Sequence, residues 1–262
     1  MTVKIISDLH CALDALAREV TPRDTLLLLG DLINVIDYKT MDGILVDVFG
    51  LEVMTEVVAL RTQRRFEDAR AVMARHREGR ETQVKERFQA LIRSSYMAIR
   101  DALPLRTYVI LGNVDSPALA KEVLLGRVEL PDGKVIEIEG LRVGFVGGGL
   151  PTPQKVAGEI AEEEYNAKLE ELGEVDVICS HVPPEVPELT YDTLARRHER
   201  GSARLLGYVR EVQPRAVFFG HIHQPLVSSM HVGRSHLLNV GYFRRTQRAW
   251  RLSLARAGPK ER

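Results

Sequence analysis

Cysteine is nearly absent from this chain: two in 262 residues, Cys11 and Cys179. Two thiols make no disulfide framework, and such low usage fits a reducing compartment. Aromatic residues are sparse, at 6% with a single tryptophan. They supply no interleaved stripe for stacking bases, only isolated Phe66, Phe88 and Tyr96, which fit a core face better. No apolar run approaches the roughly 20 residues that span a bilayer. The first residues enter a strand pattern with no basic region and apolar stretch ahead of it, so neither a membrane anchor nor a secretion signal is expected. A cytoplasmic location is the expectation. Net charge is missing as well: 36 Lys and Arg balance 36 Asp and Glu, which argues against a nucleic-acid partner.

What is present is ordinary for a globular domain. Hydrophobic residues make up 45% and charged residues 27%, enough for a sizeable core. The charge is unevenly spread: residues 1–60 carry ten acids against four bases, and residues 61–100 carry eleven Arg or Lys against five acids. Val3–Ser7 and Thr25–Leu29 are near-continuous apolar runs, the pattern of strands buried on both faces. Ala12–Val20 reads as a helix stopped by Pro22. Further strands are expected at Thr107–Leu111, Val135–Glu139, Arg142–Val146, Val175–Ser180, Ala216–Phe219, Ser235–Val240 and Trp250–Leu254, with helices at Pro117–Leu125, Glu159–Leu172 and Ser202–Val212.

Between about 47 and 103 the period turns helical. Val53, Val57 and Leu60, then Phe66, Ala69 and Met73, then Phe88, Leu91, Ile92 and Ile99 recur at helical spacing, with arginine on the other faces. Gly79 is the expected turn between two long helices. The segment reads as an insertion: a helical hairpin laid over the core, or an arm through which two copies of the chain form a homodimer. Its basic face is either plain solvated surface or a contact for an anionic substrate or partner. The whole chain reads as one domain over 1–258, with a disordered tail at 259–262.

Five short islands each follow a strand pattern: Asp8-Leu9-His10, Gly30-Asp31, Gly112-Asn113-Val114-Asp115, Ser180-His181 and Gly220-His221-Ile222-His223. Strand ends gather at one edge of a sheet, so these islands can converge there. Several imidazoles, two carboxylates and a carboxamide, with no thiolate, form a ligand set for a pair of divalent ions such as Mn, Fe or Zn. His76, His231 and His236 read as surface or packed residues.

The ordered set resembles the calcineurin-like phosphoesterases, the metallophosphoesterase family, over about residues 1–36 and 105–243. The resemblance implies an α/β fold, a four-layer α/β/β/α sandwich of two mixed sheets, with the helical hairpin inserted. It implies a first ion held by Asp8, His10, Asp31 and His223, and a second held by Asp31, Asn113, His181 and His221, with Asp31 bridging. His221 and Asn113 would lie nearest the phosphate of a small phosphoester substrate.

Departures from the family pattern matter, the loss of one histidine above all. Val114 stands where many members carry a histidine that protonates the leaving group, an aid worth about 10²–10⁴-fold; its loss favours phosphodiesters over monoesters. Asp115 then loses its usual partner and is expected only to cap the following helix ahead of Pro117. His198, in the charged stretch Tyr191–Ser202, is the candidate replacement, the alternative being a solvated loop. Asn34, Tyr242 and Arg244-Arg245 are expected near metal-bound water or the substrate rim.

Overall fold

The computed structural model describes residues 2–252; the expected tail at 259–262 lies outside them. Chain order is β1 Val3–Ile6, α1 Leu13–Glu19, β2 Thr25–Leu29, then four helices, α2 Ile44–Phe49, α3 Leu51–Thr62, α4 Phe66–Arg77 and α5 Glu81–Ala102. The core resumes with β3 Arg106–Ile110, α6 Pro117–Leu124, β4 Val135–Ile138, β5 Leu141–Val146, α7 Glu162–Glu171 and β6 Val177–Ser180. After α8 Pro187–Thr190 come the two-residue strands β7 Tyr191–Asp192 and β8 Arg197–His198, then α9 Ala203–Val212 and β9 Ala216–Phe219. The described residues finish with β10 Ser229–Val232, β11 Ser235–Asn239, α10 Phe243–Thr246 and β12 Trp250–Arg251.

Two mixed sheets carry the fold. One has the order β12-β1-β2-β3, the other β10-β11-β9-β6-β5-β4. β1, β2 and β3 run parallel, as do β5, β6, β9 and β11, while β12, β10 and β4 are antiparallel edge strands. Every residue of β1 and β2 is buried, and period-2 alternation sorts their side chains. Val3, Ile5, Leu27 and Leu29 pack with Phe145, Val177, Cys179 and Phe218 of the other sheet. Ile6, Leu26 and Leu28 pack instead with Leu16 of α1, Ile92 and Ile99 of α5 and Ala120 of α6. On the second sheet, Val146, Ile178, Val217 and Phe219 pack with Tyr165 and Leu169 of α7 and Leu205 of α9. Burying a side chain of this kind contributes about 1.5–3 kcal/mol, so these three clusters account for the fold.

The inserted segment is more broken than a hairpin. It begins at Ile44, where the amides of Ile44 and Leu45 donate to the Asn34 and Val35 carbonyls (3.0 and 2.9 Å). Gly50, with φ 88°, separates α2 from α3, and the expected turn at Gly79 (φ 73°) separates α4 from α5. The periodic residues Val53, Val57, Leu60, Ala69 and Met73 form a small core of their own. Phe88, Leu91, Ile92 and Ile99 pack on the main core, so α5 belongs to both. The helix expected from Glu159 starts at Glu162 because Gly149 and Glu159 pair as an extended bridge.

Candidate metal centre

Residues Asp8, Asp31, Asn113, His181 and His221 all stand one to three positions beyond the ends of parallel strands, β1, β2, β3, β6 and β9. The two sheets bring these exits together by hydrogen bonds that cross between them. The His221 amide donates to both Asp8 carboxylate oxygens at 3.2 Å, His181 Nδ1 donates to the Leu29 carbonyl at 2.9 Å, and the Phe243 amide donates to the Ser7 carbonyl at 3.1 Å. Glycines make the approach possible. A Cβ on Gly220 would collide with Ser7 Oγ and Asp8 Oδ2, and one on Gly30, which sits at φ 90°, would collide with Gly112 and His181. Four of the ligand candidates, Asp8, His10, Asp31 and His221, hold left-handed backbone themselves, at φ 56°, 40°, 51° and 69°. Such conformations persist where the surroundings over-determine them, as at functional sites.

One oxygen or nitrogen from each of Asp8, His10, Asp31 and His223 falls within 4.8 Å of the others. His10 Nδ1 donates to the Ile33 carbonyl at 3.1 Å, which leaves its Nε2 lone pair facing His223 Nε2 at 3.2 Å and Asp31 Oδ2 at 3.9 Å. Next to this group lies a second one. His181 donates Nδ1 to Leu29 and turns Nε2 toward Asn113 Oδ1 at 2.9 Å and Asp31 Oδ1 at 3.5 Å. His221 Nδ1 lies 2.8 Å from the same Asn113 oxygen. Lone pairs therefore converge in both places, with the outer ring nitrogens of His10 and His181 fixed by backbone carbonyls, the arrangement that orients metal-ligating imidazoles. Nitrogen and oxygen donors without sulfur suit a hard or borderline divalent cation.

At His221 and His223 the electrostatics favour the ligating form. Burial, with neighbouring His181, drives His221 down to about 4, and burial with neighbouring His10 drives His223 down to about 3, so both are held in the neutral, ligating form. Burial pushes Asp8 up to about 6, with Asp31 adding to it. Asp31 is equally buried, yet His181 and His10 overcome that and hold its carboxyl below the usual range. Burial would lower His181, but Asp31 and Asp8 outweigh it and raise it. Negative charge is thus concentrated on Asp31, between the two groups.

The family model for calcineurin-like phosphoesterases matches residues 1–225. The chain belongs to that family. Members are in general metal-dependent phosphoesterases, which accords with the cluster of Asp8, His10, Asp31 and His223. No curated protein matches this calcineurin-like phosphoesterase. Solved structures similar to it include one of 18% identity, TM-score 0.59, covering 92% of this chain and 91% of its own. Another, a protein of unknown function from Aquifex aeolicus, is 13% identical with TM-score 0.40, each chain covered to 95%. Among the described residues no helix is long and apolar enough to cross a membrane.

The other sequence candidates fall in several places. His198 sits exposed on β8, with Nδ1 3.3 Å from Thr190 Oγ1 and its ring edge-on to Tyr191 at 5.1 Å. His231 and His236 stack on each other at 4.5 Å across β10 and β11. Asn34 donates to Asp42 Oδ1 at 3.0 Å. Arg244 donates to the His10 carbonyl at 2.7 Å and to Asp42 at 2.8 Å, so it braces a ligand loop. Tyr242 lies flat on the His223 ring, 4.0 Å between centroids and 3° between planes, and donates to Asp37 Oδ2 at 3.2 Å.

Asp115 requires a correction. It does not cap α6, whose N-cap is Ser116. It is fully buried and accepts the Leu32 and Gly112 amides at 3.0 and 2.9 Å, and the Tyr96 hydroxyl at 3.2 Å. A carboxylate with no imidazole beside it in sequence still finds donors, because the loops that carry Asp31 and Asn113 expose amides toward it. The sequence reading placed Tyr96 only on a core face. The helical spacing from Ile92 to Ile99 locates its ring but carries no signal for its hydroxyl.

Proposed function

We propose that this calcineurin-like phosphoesterase hydrolyses a phosphodiester with two divalent ions. The first would be held by Asp8, His10, Asp31 and His223, the second by Asp31, Asn113, His181 and His221. One observation carries the reading: the two oxygens of Asp31 address different donor groups, Oδ2 toward His10 at 3.9 Å and Oδ1 toward His181 at 3.5 Å. A carboxylate so placed would serve both ions. Mn, Fe and Zn suit the donors. Two such ions supply Lewis acidity and lower the pKa of coordinated water toward 7.

The chain's own residues do the rest. Asn113 and His221 border the space where a phosphoryl group would sit, and their 2.8 Å separation fixes both relative to the ions. His10 and His181 are locked in orientation by Ile33 and Leu29, so the ligands need little rearrangement on binding. Val114, half-buried, offers hydrocarbon where a leaving-group acid would stand. A diester or an ester with an activated leaving group is therefore the better substrate than an alkyl monoester. The two unbridged cysteines fit a cytoplasmic setting.

The test is a panel of nitrophenyl mono- and diesters and cyclic nucleotides, assayed with Mn, Fe, Zn, Ni and Mg in turn. Metal-dependent turnover with diesters ahead of monoesters is expected. Hydrolysis indifferent to chelation would end the metal reading, and a strict monoesterase would end the diester assignment.

A further inference from the structure

The inserted helices contribute one polar group to the interior of the core, and it lies beside the proposed metal loops. Tyr96 of α5 is fully buried. Its hydroxyl accepts the Ser116 amide at 2.8 Å and donates to Asp115 Oδ1 at 3.2 Å. That same Asp115 oxygen accepts the amide of Leu32, next after Asp31, and Oδ2 accepts the amide of Gly112, next before Asn113. The chain of contacts continues outward, since the Leu32 carbonyl accepts the Cys11 amide at 2.9 Å and the Asp31 carbonyl accepts the His10 amide at 3.0 Å. One buried carboxylate thus fastens the backbones of two ligand loops, and one phenol from the insertion completes its bonding. On either side lie Ile92 and Ile99, whose burial fixes α5 against β2 and β3.

We infer that Tyr96 and Asp115 are positioning residues, through which the inserted helices hold the Asp31 and Asn113 loops in register for metal binding. The inference rests on the metal reading above and assigns the insertion a part in the centre rather than a place on its surface. Partners in the outer sphere of a metal site typically change affinity 10- to 100-fold when removed. Tyr96→Phe deletes one hydroxyl, changes no charge, and leaves the ring in its pocket.

The measurement is Mn²⁺ titration of the full chain by calorimetry, with free Mn²⁺ followed by electron paramagnetic resonance, at a temperature where circular dichroism shows every variant folded. The wild type should take up two ions. Tyr96→Phe should weaken uptake about tenfold, and Asp115→Asn should weaken it further. Adding Tyr96→Phe to Asp115→Asn should then cost little more, because both act through one network. Val72→Ala, in the separate small core of the insertion, should lower the melting temperature and leave metal affinity unchanged. If Tyr96→Phe does not fold, Asp115→Asn against Val72→Ala decides the matter in the same way. A wild type with two ions and a Tyr96→Phe variant of equal affinity overturns this inference alone, as does an equal loss in Val72→Ala. A wild type that takes up no pair of ions overturns the metal reading and this inference with it.

Discussion

Replacing Asp31 by asparagine removes the charge between the two donor groups and almost nothing else. The side chain is 3% exposed, and its Oδ1 accepts the Val114 amide at 3.0 Å. An asparagine carbonyl can keep that bond, so the folding free energy of the metal-free protein should change by no more than about 1 kcal/mol. The effect on metals should be far larger. The oxygen that faces His10 at 3.9 Å becomes an amide that repels a cation, and the oxygen that faces His181 at 3.5 Å loses its charge. Both proposed ions would be loosened by one substitution. An ion in such a site would contribute several kcal/mol of transition-state stabilisation, and a loss of about 4 kcal/mol corresponds to about 10³-fold in kcat/KM. The assay is kcat/KM on a nitrophenyl diester together with elemental analysis of the same sample. An Asp31→Asn protein that keeps both ions and turns over within tenfold of the wild type would refute the bridging role.

Three further outcomes follow from the geometry. Gly220→Ala has no space for its methyl beside Ser7 and Asp8, so it should cost about 1–3 kcal/mol by thermal melting and weaken metal uptake with it; a stable variant with full uptake would contradict the close approach. Tyr242→Ala should weaken the His223 ion about 2- to 12-fold, the equivalent of the 0.5–1.5 kcal/mol of a stacked ring pair, whereas Tyr242→Phe keeps the stack and should stay near wild type. Asp24 is buried against Lys4 at 3.2 Å. Burial raises its carboxyl, but the Thr21 amide and hydroxyl and Lys4 outweigh this and lower it below 3.8. Its contribution is therefore complete above pH 3.8 and lost as the pH falls through the lowered folded value. Asp24→Asn should cost about 2 kcal/mol at pH 7, and the gap to wild type in denaturant melts should narrow as the pH falls below 3.8.

How far the sequence could be read depends on which physical signal each feature leaves. β1 and β2 were legible because two-sided burial writes an unbroken apolar run, and the islands after them were legible because strand exits share an edge. The sequence reading missed β10: Ser229, Met230, His231 and Val232 do alternate polar and apolar, but four residues with only two apolar positions make too short a run to stand out from a loop. The breaks within the insertion left only faint marks, a lone Gly50 and the polar Gln63-Arg64-Arg65, since helical period survives a short interruption. Hydrogen bonds between distant loops leave none at all. Asp115 is adjacent to Val114 in sequence, so it invited a local explanation, a helix cap, while its partners Leu32 and Tyr96 are 83 and 19 residues away. Tyr242 was placed near the rim by the family resemblance of its segment, but nothing in one dimension says that its ring lies parallel to His223. The donors of a metal centre are thus readable from strand exits, and the bonds that aim those donors are not. Changes at Tyr96, Asp115 and Tyr242 consequently test the structure more sharply than changes at the ligands, which the sequence alone would already single out.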